Sequence, residues 1–89
     1  MQINDLHILF SSHAEDRLLD RGVSKDQLAY LLHDKYKNIK LMRFAVGDGK
    51  KELCYKSGVG NIIFSMKNKT INVITILEEG MKVKNALVI

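Results

Sequence analysis

The chain has 89 residues, 46% of them hydrophobic and 27% charged, with a formal net charge of +4. That length holds one modest core, with no room for a second lobe or a large enclosed cofactor, and the composition excludes wholesale disorder. The longest apolar stretch, 71–77, is far short of the ~18 residues of a membrane span, and the opening MQINDLHILF lacks the basic region of a secretion signal.

A single cysteine, Cys54, leaves no internal disulfide framework, and without CxxC pairs a structural zinc site is not expected. His7 and His33 have no metal-ligand spacing to each other or to His13. The expectation is one cytoplasmic domain over 1–89, with no cofactor and no metal. There are no prolines, so Gly, Asn, Asp and Ser must turn every connection.

Ile8, Leu9 and Phe10 read as a short strand or a core anchor. Ser12 followed by Glu15 fits a capping box for a first helix over about 13–21, with Gly22 as its left-handed stop. Ser24 and Gln27 repeat the device for a second helix over about 25–35. Leu28, Leu31 and Leu32 share one face of it, as Ala14 and Leu18 do on the first. Beyond that the pattern alternates. Met42, Phe44 and Val46 predict a strand near 39–46, and Gly47-Asp48-Gly49 a hairpin turn. Leu53 and Tyr55 share a face of a strand over 51–57, with Cys54 on the opposite face as a small packing residue. Gly58-Val59-Gly60 turns the chain into a strand over 61–67, and Asn68-Lys69 into a β-branched strand over 70–77. Val83 and Ala86 to Ile89 supply either an edge strand or a closing segment. The fold class is α+β, with two N-terminal helices packed on a four-stranded antiparallel meander.

Charge is unevenly placed. Residues 1–34 carry three basic and six acidic side chains, whereas 35–69 carry nine basic and only two acidic ones. A basic middle suits an anionic partner, nucleic acid above all, although a solvated lysine-rich surface gives the same count. His13, Arg17 and Arg21 stand at i, i+4 and i+8, along one side of the first helix and beside its apolar stripe. Two arginines four residues apart repel each other unless an anion lies across both. RNA cleavage without a metal needs a base for the 2′-hydroxyl, cations for the transition-state phosphate and an acid for the leaving oxygen. A histidine suits the proton steps. Arginine forks suit the phosphate. Arg43, Lys50, Lys51, Tyr55 and Lys56 on the expected sheet would add cations, a hydroxyl or a stacking face for RNA binding. Each residue also has a plain structural reading. His13 can cap or pack, Arg17 and Arg21 can pair with Glu and Asp, and Tyr55 can be a half-buried strand aromatic.

The run His13-Ala14-Glu15-Asp16-Arg17-Leu18-Leu19-Asp20-Arg21-Gly22-Val23-Ser24 resembles the H-A-x-x-R-x-x-x-R-G-[I/V]-[S/T] signature of a family of small bacterial and phage domains of unknown function. That family is similar in layout to RelE/ParE-type toxins and to the wider barnase–EndoU–colicin–RelE group of compact ribonucleases. The specific part of the resemblance covers 10–34. It implies N-terminal helices on an antiparallel sheet, side-chain-only cleavage of RNA, and restraint by an acidic antitoxin or immunity partner. His13, Arg17 and Arg21 are the positions it marks as catalytic, with Gly22 as the turn. The expected function is a small metal-independent toxin-type ribonuclease. The alternatives are a non-enzymatic phage or mobile-element inhibitor that docks on a protein, and a nucleic-acid-binding module without catalysis.

Overall fold

The computed structural model describes residues 2–3, 5–46, 52–58, 60–78 and 86–88, with 42–46 and 86–88 described as backbone only. Two short strands open the chain, β1 (Gln2–Ile3) and β2 (Leu6–Phe10). Leu6 and Ile8 are buried while His7 and Leu9 are exposed. That alternation of period two makes the segment before the first helix a strand.

Three helices follow: α1 (Ser12–Arg21), α2 (Lys25–Asp34) and α3 (Tyr36–Val46). The cap of α1 is Ser11, one residue upstream of the expected Ser12. The Ser11 hydroxyl accepts from the Ala14 amide at 3.0 Å and donates to the Ile74 carbonyl at 2.6 Å. Its own amide donates to the Val73 carbonyl at 3.0 Å. Ser11 satisfies an orphan helix amide and the sheet at once, which Ser12 cannot do from inside the helix. Glu15 accordingly does not close a capping box; it lies 3.1 Å from Lys25 Nζ. Gly22 ends α1 at φ 67°, with its amide on the Leu19 carbonyl and the Val23 amide on the Leu18 carbonyl. This is the paired-amide stop that a left-handed glycine permits. The Ser24–Gln27 box at the start of α2 is formed as expected, its two bonds at 3.0 and 3.1 Å.

Four more strands complete the sheet: β3 (Glu52–Ser57), β4 (Gly60–Lys67), β5 (Thr70–Leu77) and β6 (Ala86–Val88). The order is β1-β2-β5-β4-β3-β6. β3, β4 and β5 form the expected antiparallel meander, but β2 joins β5, and β6 joins β3, in parallel. The sheet is therefore mixed. The segment 39–46, expected as a fourth meander strand, is instead most of α3. Ile39 is fully buried while Leu41 is 70% exposed. A strand would put both on one face, whereas a helix buries Tyr36 and Ile39 at i, i+3. Lys, Leu, Met, Arg and Ala between 40 and 45 are also good helix formers. The expected turn at 47–49 lies outside the described residues.

The core lies between the helices and one sheet face. Ala14, Leu18, Leu28, Ala29, Leu32 and Ile39 from the helices meet Leu6, Ile8, Leu53, Ile62, Phe64, Met66, Ile71, Val73 and Ile76 from the strands. A register shift in the β4–β5 pairing leaves Ile74 as an extra residue. A bulge of this kind re-aims local backbone groups, and it is the Ile74 carbonyl that receives the Ser11 hydroxyl. The start of α1 is thereby tied to the middle of β5. Cys54 alternates with Leu53 onto the other sheet face and is fully buried there. Burial pushes its thiol up from the ordinary value, with Lys56 pulling more weakly the other way. No helix among the described residues is long and apolar enough to cross a membrane.

Candidate functional site on helix α1 and the neighbouring sheet corner

Ala14 and Leu18 are buried. Their burial fixes the rotation of α1 and so places His13, Arg17 and Arg21 along the border of its apolar stripe. Successive members are about 6 Å apart along the axis, at 1.5 Å per residue. His13 is exposed, while Arg17 and Arg21 are half-buried. Arg17 has no ion-pair partner among the described residues. The plain structural reading of Arg17 as one half of a pair with Glu or Asp is not what holds it.

Arg21 reaches the sheet. A Cβ built on Gly60 would stand 2.9 Å from Arg21 Nη1 and 2.6 Å from the Leu77 carbonyl oxygen. The guanidinium therefore lies over the first residue of β4, beside the end of β5. Gly60 has φ +125°, a conformation essentially restricted to glycine. Opposite it, the Ser57 hydroxyl donates to the Gly60 carbonyl at 2.7 Å. That bond closes the turn with both groups buried.

Tyr55 shares this corner. It pairs with Ile62, two residues along β4 from Gly60. Diagonal neighbours of this kind sit about 7–8 Å apart. Its ring is half-buried against the core and faces the helical layer. Lys35 Nζ stands 5.9 Å from the ring centre. Lys35 was not singled out from the sequence, because it lies at the end of α2, where a lysine is usually an ordinary helix-end cation.

The remaining expected RNA-binding residues do not gather here. Lys56 alternates with Tyr55 and is exposed on the opposite face of the sheet. Arg43 belongs to α3, so its expected place on a strand was wrong. Lys50 and Lys51 lie outside the described residues. The site as described is thus a helix edge carrying His13, Arg17 and Arg21, with Tyr55 at the sheet corner that Arg21 reaches and Lys35 against the Tyr55 ring. Among the described residues no group of three or more His, Cys, Asp or Glu could hold a metal ion.

Compared with family models, curated proteins and solved structures, the chain matches none.

Proposed function

We infer that the chain is a small metal-independent ribonuclease of the toxin type, acting on RNA phosphodiesters along α1. The observation that carries this reading is Arg17. It is a half-buried guanidinium with no ion-pair partner among the described residues, held between His13 and Arg21 on one helix side. An arginine in that position is suited to a bidentate contact with a phosphate.

The spacing divides the roles. One phosphate cannot span the ~12 Å from His13 to Arg21 along the helix. His13 and Arg17 together address the reacting phosphate, His13 moving a proton to or from an oxygen and Arg17 neutralising the developing charge. Arg21, packed over Gly60, braces α1 against the sheet and presents a second cation to the neighbouring part of the RNA strand. Tyr55 offers its hydroxyl at the same end, and the Lys35 ammonium over its ring a further cation. RNA is the partner of this surface, and an acidic antitoxin or immunity protein would compete for it by charge.

The test is cleavage of a labelled single-stranded RNA by the purified protein in EDTA. The reading requires cleavage that persists in EDTA and is lost in Arg17→Ala. A wild-type protein that cuts no RNA, with or without EDTA, contradicts it.

A second reading, a non-enzymatic interaction module, rests on a different observation. Leu19, Tyr30 and Leu41, one on each helix, are 80%, 59% and 70% exposed. Under that reading the helical layer is a protein-docking surface, and the same assay returns no cleavage.

A further inference from the structure

A cleft of about 300 Å³ opens at the other end of the sheet. Ile3, Leu6 and Tyr36 line it together with Lys40, Lys69, His33 and Asp5. Lys69 directly precedes β5, whereas Arg21 lies by Leu77 at the far end of that strand. Eight residue steps of extended chain separate the two by roughly 25 Å. The cleft is therefore distinct from His13, Arg17 and Arg21 on the α1 edge, although Lys35, beside Tyr55, is the chain neighbour of its Tyr36.

We propose that this cleft binds a small phosphomonoester carrying a flat ring. Three observations set that class. First, the volume is at the small end of ligand pockets, enough for one compact molecule. Second, the lining joins an aromatic and two aliphatic residues to two exposed lysines, which suits a ligand with an apolar body and a charged end. Third, the lysines ask for more than one negative charge. Lys69 Nζ lies 3.6 Å from Asp5 Oδ2, with both side chains well exposed. A solvated pair of this kind contributes little and yields to a stronger anion. A monocarboxylate would only exchange with the Asp5 carboxylate. A phosphate monoester carries about −1.5 to −2 at neutral pH and can engage Lys69 and Lys40 together. The ring of the ligand stacks on Tyr36 and against Ile3, and the phosphate sits between the two ammonium groups.

The test is an amide-resonance titration of the full chain with phenyl phosphate, with phenol, benzoate and glucose 6-phosphate as comparisons. Phenyl phosphate is expected to shift the Ile3, His33, Tyr36 and Lys69 amides to saturation. Phenol should not saturate, and benzoate and glucose 6-phosphate should bind several-fold more weakly. Lys40→Gln and Lys69→Gln should each weaken phenyl phosphate by about tenfold, the loss of one charge-assisted contact. Asp5→Asn should tighten it, because the competing carboxylate is gone. These three side chains are exposed, so the variants keep the fold, which the unperturbed remainder of each spectrum checks. Arg17→Ala should leave the titration unchanged, so this result and the RNA assay fail or succeed separately. No saturable shift at these amides, equal affinity for benzoate, or indifference to both lysine substitutions would overturn the proposal.

Discussion

Gly60 closes the corner between α1 and the sheet. Its positive φ and the Leu77 carbonyl 2.6 Å from a built Cβ leave no place for a side chain, and that oxygen belongs to backbone. Gly60→Ala should therefore cost about 1–3 kcal/mol, the scale of a strained backbone position. At Gly58 a Cβ meets nothing within 4 Å, and Gly58→Ala should stay within about 0.5 kcal/mol. Urea denaturation of the two variants checks the contrast. The turn itself was legible, since two glycines two residues apart between alternating runs signal a reversal. What the local pattern could not show was that Arg21, 39 positions away, fills the space above Gly60. Cys54 was legible for the opposite reason. Strand alternation alone placed it away from Leu53 and Tyr55.

At the scale of elements, the first start signal and one strand separate what sequence shows from what packing decides. Two adjacent serines, Ser11 and Ser12, both suit an N-cap by type, and only the tie to Val73 and Ile74 selects Ser11. Ser11→Ala should cost about 0.5–2 kcal/mol, whereas Ser12→Ala should be near neutral; thermal unfolding of the pair distinguishes them. The second helix start was fully legible, because both halves of its capping box lie within four residues. The stretch 39–46 misled because three alternating apolar residues fit a strand while the same window fits a helix face. Burial then chose the helix. Ile39→Ala should cost about 2–5 kcal/mol, and Leu41→Ala about 0.5 kcal/mol or less. A strand with both residues on its core face would make the two losses similar in denaturant titrations. The parallel places of β2 and β6 had no signal in the pattern, since a strand's partner is fixed by chain segments tens of residues away.

Over the whole molecule, the described cations of the basic middle do not gather into one patch. Tyr55 faces the helical layer, where Lys35 at the end of α2 meets its ring, Lys56 faces away, and Arg43 sits on α3. The motif stripe on α1 was legible because helical spacing alone aligns positions four apart. Its partners on the sheet were not, because one expected strand became a helix and strand alternation sent Lys56 to the far face. This arrangement sets the salt dependence of RNA binding. Arg17→Gln should reduce the salt slope of RNA binding by about one counterion, and Lys56→Gln should leave it nearly unchanged. Filter binding across a salt series reads both. The central claim is that the α1 edge reacts with RNA and does more than hold it. His13 is exposed and lies outside the core, so His13→Ala should keep the melting temperature and most of the RNA affinity. A general acid or base acts in the transition state and contributes about 10²–10⁴-fold. The deciding measurement is single-turnover RNA cleavage in EDTA by wild type and His13→Ala, each matched for folded protein. The account predicts a rate loss in that range with affinity retained. Equal cleavage rates, or a wild-type rate indistinguishable from background, would contradict it.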